Sequence, residues 1–353
     1  MNTLDYTPSV FLSHVSALEC WAVVGHKGLD ARTLTNTRDV STSVRCVTQL
    51  SESGVLDYGF VSHLSLPLDI LVPERRKTFS SPAVQCHLNT NELPLDGLRH
   101  LTMGLYVTSP EVTYVHMGTL LTDAQLALVG SMLCGRYAIS TNEDRGIYER
   151  KPLTSHNALE QMVNGGHRLR GTTVAREALD LFVDNCRSPR ESVCVTLLCA
   201  RPGRGGYDIQ KPFCNHVIKL SDQASSIVGM RSIEVDLCWP DQKTVMEYDS
   251  WEIHNNARRL VHDDLRAEAL RADGWRVITV RTGHLNNFGI FDRLVRGSLA
   301  PSLGIEIAPP TNEFMGNALQ LRSEIMSFDP YVSSPQAREA LRKNKRLRAD
   351  GSI

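Results

Sequence analysis

Glu234-Val-Asp-Leu-Cys-Trp-Pro-Asp-Gln-Lys-Thr-Val-Met-Glu-Tyr-Asp249 reads as a β-hairpin that puts four carboxylates on one face. The first arm alternates Val235, Leu237 and Trp239 with Glu234, Asp236 and Cys238. The second alternates Met246 and Tyr248 with Val245, Glu247 and Asp249. If Trp239 pairs with Thr244 across the turn Pro240 to Lys243, Asp236 stands opposite Glu247 and Glu234 opposite Asp249. Opposed side chains sit ~4.5–5.5 Å apart at Cβ, and like charges there destabilise a sheet. A hard cation such as Mg²⁺ or Mn²⁺ held by carboxylate oxygens relieves that repulsion and supplies chemistry. The plainer alternative is a solvated acidic face.

Asp236, ten residues, Glu247, one residue, Asp249, then Trp251 and His254, resembles the core of the PD-(D/E)xK nuclease superfamily. More narrowly it is similar to a family of bacterial proteins related to the very-short-patch-repair endonucleases. Asp263-Asp-Leu-Arg266-Ala-Glu-Ala-Leu270 and Ala272-Asp-Gly-Trp275-Arg-Val-Ile-Thr-Val280 resemble that family's passage from helix to strand, and Ser188-Pro-Arg-Glu191 resembles the start of its first helix. The match covers roughly residues 174–281. The resemblance implies a DNA endonuclease with Asp236, Glu247, Asp249 and His254 in catalysis, and with Asp236, Glu247, Glu191 and Asp249 around Mg²⁺ or Mn²⁺. Arg266, Arg258 and Arg259 are the expected DNA contacts. Asp249 stands where the superfamily motif has lysine, although related families also lack it; His254, Lys219 or a second metal are the candidate substitutes.

Each mark also has a structural reading. Ser188, Pro189 and Glu191 form an N-cap, a first-turn proline and a capping-box acid. Arg266 falls three residues after Asp263 and suits a surface ion pair worth ~0.3–0.5 kcal/mol. His254 sits in a loop near the acids, where an imidazole can move a proton. Trp275 opens an apolar strand and suits a core.

Lys+Arg total 38 and Asp+Glu 39, a net charge of −1, so a basic DNA-binding face has to be local. The nine cysteines show no C-x-x-C pair and read as reduced thiols. No apolar run and no leader indicates a membrane or a secretory route, so the expected compartment is the cytoplasm.

The fold class expected is α/β: a C-terminal restriction-endonuclease-like mixed sheet with flanking helices, preceded by a smaller α+β N-terminal domain. The expected boundaries are 1–165, 166–300 and a C-terminal extension 301–353, with the polar stretch 164–173 as linker. The nuclease-like part reads helix, helix, strand Val217 to Leu220, hairpin, helix Ala257 to Arg271 and strand Trp275 to Val280, the last helix being a crossover. Arg204-Gly-Gly206 lacks the phosphate-loop pattern and is a weak phosphate cradle. In the N-terminal part, Ser13-His-Val-Ser-Ala-Leu18 and Val107-Thr-Ser-Pro-Glu111 are similar to short marks of abortive-infection type IV antitoxins, while Ser13 also fits a helix cap. The tail from Ser334 carries Arg338, Arg342, Lys343, Lys345, Arg346 and Arg348, either a solvated end or a grip on backbone phosphates. The alternative function is a non-catalytic DNA-binding regulator or antitoxin-like protein that keeps the nuclease fold. A homodimer is compatible with either.

Overall fold

The computed structural model describes residues 10–27, 32–33, 64–75, 78, 80–102, 105–139, 146–249 and 257–329. The chain divides into two compact units. The first takes in Met1–Leu133, Tyr137–Leu179 and Asp329–Ile353, the second Cys134–Arg136 and Asp180–Phe328. The expected boundaries at 165 and 300 therefore shift. The stretch 164–173 is a turn inside the first unit, not a linker. There Gly171, at φ +96, packs where a Cβ would meet the Val115 carbonyl at 2.1 Å. Residues 301–328 belong to the second unit, tied in by Arg204 to Glu324 at 2.9 Å and by the Thr244 hydroxyl to the Ser302 carbonyl at 3.2 Å.

The first unit contains β1 (Val10–Leu12), α1 (His14–Lys27), β2 (Arg32–Thr33), β3 (Leu68–Val72), β4 (Val84–Leu88), β5 (Leu98–Thr102), β6 (Leu105–Thr108), α2 (Pro110–Met117), α3 (Asp123–Leu133), β7 (Tyr137–Ile139), β8 (Ile147–Glu149), α4 (His156–Asn164) and α5 (Thr172–Ala178). Its main sheet runs β2-β5-β6-β1-β3-β4, with β1 parallel to β6 and β3 parallel to β4. This sheet has six strands against four in the other unit's sheet. Leu12, Leu68, Ile70, Val84, Leu105 and Val107 form its core.

The second unit contains α6 (Pro189–Cys199), β9 (Phe213–Lys219), α7 (Asp222–Val228), β10 (Ser232–Trp239), β11 (Thr244–Asp249), α8 (Ala257–Ala272), β12 (Arg276–Arg281), α9 (Thr282–Asn286), α10 (Phe288–Leu294), α11 (Ala300–Leu303) and α12 (Asn312–Ile325). The sheet order is β12-β11-β10-β9: β9, β10 and β11 are antiparallel neighbours, and β12 lies parallel to β11. A parallel partner needs a long crossover, which α8 supplies. Gly274, at φ +81, ends that passage, and the Trp275 N–H returns to the Leu270 carbonyl at 3.0 Å. Ile218, Ala224, Ile233, Val235, Cys238, Val245, Ala269 and Leu270 share one buried cluster, with Trp275 packed against it. Full burial of each aliphatic side chain there contributes roughly 1.5–3 kcal/mol.

The whole molecule is thus of mixed α/β class. The glycines of Arg204-Gly-Gly206 serve close packing: a Cβ on Gly205 would meet Asn317 O at 2.4 Å and one on Gly206 would meet Ala200 O at 2.2 Å. Among the described residues no helix is long and apolar enough to cross a membrane.

Candidate active site

The hairpin forms in the expected register, with Trp239 opposite Thr244 and Leu237 opposite Met246. A 3₁₀ turn at Pro240–Gln242, closed by Lys243 at φ +45, reverses the chain. Its polar side is shorter than the alternation implies. At the turn end Cys238 and Val245 are fully buried alongside Leu237 and Met246, so both faces are covered. Tyr248, expected in the core, is half-buried with its hydroxyl 2.9 Å from that of Thr282.

Beyond Leu237 the pairing passes to side chains. The Tyr248 N–H donates to Asp236 Oδ2 at 2.7 Å, and the Asp236 N–H donates to Glu247 Oε2 at 3.3 Å. A carboxylate thus occupies each place where a neighbouring carbonyl would accept. Glu191 enters from the first turn of α6, where Ser188 caps the helix and Pro189 starts it. The Ser188 hydroxyl donates to Glu191 Oε1 at 2.8 Å, while the Arg187 N–H and Asn215 Nδ2 donate to Oε2 at 2.9 and 2.8 Å. The cap therefore holds Glu191 in place beside Asp236.

Burial pushes the Asp236 carboxyl up to about 7, and Glu247 beside it adds to the shift. Burial likewise pushes Glu191 up to about 7, with the charge of Asp236 second. Glu247 is raised by burial, with the Arg266 guanidinium pulling the other way. These three acids, from α6, β10 and β11, form one electrostatic unit in which proton affinity is raised by desolvation and by mutual repulsion.

Glu234 and Asp249 lie elsewhere. Arg136 Nη1 and Arg187 Nη1 hold the two oxygens of Glu234 at 2.6 and 2.8 Å. Arg281 Nε donates to Asp249 Oδ2 at 3.2 Å. Thus the four opposed acids of the sequence reading resolve into one close pair and two separately neutralised groups. Arg266 does not serve Asp263: its Nη2 donates to the Glu234 carbonyl at 2.8 Å and stands 3.6 Å from Glu247 Oε1. This turns it toward the acids, in place of the surface ion pair with Asp263. Lys219 is exposed on β9 opposite Ser232, four residues along β10 from Asp236. His254 and the tail from Ser334 lie outside the described residues, as do the side chains of Arg258 and Arg259 on α8.

The donor chemistry suits a hard divalent cation: carboxylate oxygens with raised proton affinity in a buried setting. Among the described residues no three His, Cys, Asp or Glu are arranged as a ready metal cage. The acids spend several oxygens on N–H and hydroxyl donors, so a cation would compete with the proton for what remains on Asp236 and Glu247.

Sequence reasoning missed Arg136, Arg187 and Asn215, which hold the acids across 98, 47 and 24 residues. It also missed Cys186 and Cys214, whose sulfurs lie 3.3 Å apart next to Arg187 and Asn215. Among the described residues Cys20, Cys186, Cys194, Cys199, Cys214 and Cys238 are buried free thiols.

A second buried polar group lies in the first unit. His14 follows β1 at φ +48, its ring stacked on His87 of β4 at 3.6 Å and on His116 of α2 at 5.0 Å. His87 Nε2 meets Asp69 Oδ1 at 2.7 Å, and the Ser13 hydroxyl meets His14 Nδ1 at 2.9 Å. His116 Nδ1 has no hydrogen-bond partner. Burial, then the nearby His87, pushes His116 down to about 4. The segments 13–18 and 107–111 converge here on the neighbouring parallel strands β1 and β6, and Trp21 Nε1 donates to the Thr108 carbonyl at 2.9 Å.

Comparison of the chain with family models, with curated proteins and with solved structures gives no match.

Proposed function

We propose that this chain is a metal-dependent endonuclease that hydrolyses DNA phosphodiesters, in line with its resemblance to the PD-(D/E)xK nucleases. The observation that carries the reading is the meeting of Asp236 and Glu247 on adjacent strands, linked through the Tyr248 and Asp236 N–H groups, with buried Glu191 beside them and the proton affinity of all three raised. Asp236 and Glu247 would hold Mg²⁺ or Mn²⁺, with Glu191 held in reserve by its cap. A bound divalent ion neutralises charge at a scissile phosphate and lowers the pKa of a water. Arg266 trims the negative potential around Glu247, and the backbone N–H groups of Tyr248 and Asp236 fix the carboxylate orientations. Asp249, paired to Arg281, fits an auxiliary role at the rim.

The helix, three antiparallel strands, crossover helix and parallel strand from α6 to β12 support the reading, because they bring the motif acids onto adjacent strands. Free buried thiols support a reducing compartment such as the cytoplasm. The second reading, a DNA-binding regulator without turnover, draws on one feature: an ion-paired aspartate at the position of the motif lysine.

The two readings separate on plasmid DNA incubated with Mg²⁺, Mn²⁺ or chelator. The wild type is expected to nick or cut only with metal. Asp236→Ala and Glu247→Ala should each lose at least a hundredfold in rate while keeping DNA affinity. Undiminished cleavage by Glu247→Ala, or cleavage in chelator, rejects the mechanism.

A further inference from the structure

β9 is the outer strand of the second unit's sheet, and its outward residues are the wrong kind for a merely solvated edge. Phe213 is 60% exposed and Val217 54%, while Cys214 and Ile218 between and beyond them are buried. By register Val217 stands across from Glu234 and Phe213 across from Cys238, so the two bracket the level of Asp236 on the neighbouring strand. Arg136 and Arg187 converge on Glu234 at that same level, and Lys219 is exposed two residues further on. The His216 ring sits 5.6 Å from that of Phe213.

An exposed apolar edge invites a second β-strand, from another copy of the chain or from a partner. Asn215 argues against that here. It adopts φ +49 midway between Phe213 and Val217, which breaks the regular row of N–H and C=O groups that an added strand needs. Its side chain is also committed inward, to Glu191 and to the Asn185 carbonyl. What β9 presents is therefore side chains: a flat aromatic ring, an aliphatic neighbour and an exposed lysine. That combination matches the base faces and backbone phosphates of an unpaired strand, where stacking is worth about 1–3 kcal/mol per base.

We propose that Phe213 and Val217 form a stacking platform for an unpaired stretch of DNA, with the exposed Lys219 along its phosphates. The platform sets the substrate as single-stranded or frayed DNA; it rests on the phosphodiesterase reading for its purpose, though not for its binding.

Full-length wild type, Phe213→Ala and Phe213→Trp are titrated in chelator into dye-labelled oligo-dT, oligo-rU and a duplex of equal length. The wild type is expected to bind oligo-dT more tightly than the other two. Phe213→Ala should lose about tenfold on oligo-dT with little change on duplex, a loss in the range of one stacked base. Phe213→Trp should keep affinity and show quenching of the new indole on binding. Unchanged affinity in Phe213→Ala overturns the platform, as does equal or tighter binding of duplex or oligo-rU. Sedimentation at the same concentrations covers the other occupant: a dimer that Phe213→Ala converts to monomer would assign the patch to a second copy. Loss of oligo-dT binding in Phe213→Ala, with no cleavage by the wild type in any metal, keeps the platform and rejects the nuclease. Cleavage with unchanged affinity rejects the platform alone.

Discussion

The second unit gathers buried Glu191 with half-buried Asp236 and Glu247, the first stacks three buried imidazoles, and desolvation acts with opposite sign on Glu191 and on His116. Desolvation penalises whichever form is charged. For Glu191 and Asp236 that means proton affinity raised to about 7; for His116 it means proton affinity lowered to about 4. The partners differ as well. The acids accept from N–H and hydroxyl donors on three elements, whereas His116 leaves one ring nitrogen unanswered. The comparison teaches that burial alone does not mark a cation site. The carboxylate cluster gains from added positive charge, and His116 is disfavoured by it.

The largest expected effect removes one member of the acidic group. Above pH 7 the ionised Asp236 opposes folding by an amount set by its shift from 3.8 to about 7, on the order of 2–4 kcal/mol. Asp236→Asn keeps the shape and an acceptor for the Tyr248 N–H while removing the charge. In chelator at pH 8 it should raise the melting temperature by roughly 5–10 °C, and it should abolish any shift produced by Mg²⁺. A variant that melts lower than wild type, or that still responds fully to Mg²⁺, breaks the contrast.

Smaller effects appear when pH is varied across both clusters. Asp236 and Glu191 bind protons more tightly folded than unfolded, so the stability they contribute is complete below about 4, falls as pH rises from there through about 7, and is gone above that. His116 binds its proton less tightly folded than unfolded. Its neutral form costs nothing above about 6.5, and stability falls by up to roughly 1.4 kcal/mol per pH unit between there and about 4. Hydrogen exchange in chelator, followed segment by segment, should show α6, β10 and β11 gaining protection from pH 8 to pH 6. Below pH 6, β1, β6 and α2 should lose it. His116→Phe should flatten only the second trend. Parallel responses in the two units would mean that neither cluster controls its surroundings.

Much of the acidic site was legible because its determinants are local. Alternation plus the Pro240 turn pins the register of the hairpin, and Ser188, Pro189 and Glu191 announce the start of α6 within four residues. The strand β9 was read as starting at Val217, which hid Phe213 to His216; Asn215 at positive φ and exposed Phe213 obscure the usual strand pattern there. The neutralisation of Glu234 was not legible, since Arg136 lies 98 residues away and nothing local distinguishes it from a surface arginine. The histidine stack is the extreme case. His14, His87 and His116 are each unremarkable in sequence, and only the placing of β1 between β6 and β3 brings them face to face.

The hairpin also has a history within each molecule. β10 and β11 are joined by a four-residue reversal and can pair within microseconds, but β12 is a parallel neighbour that must wait for α8 to cross over. Arg266 arrives on that same helix. If the hairpin pairs first, Asp236 and Glu247 meet before Arg266 reaches them, at a stage more repulsive than the final state. Charge neutralisation should act as a folding catalyst at that stage: stopped-flow refolding at pH 8 should quicken with Mg²⁺ in wild type and be equally fast without it in Asp236→Asn. Equal Mg²⁺ acceleration in both would place the slow step elsewhere in the chain.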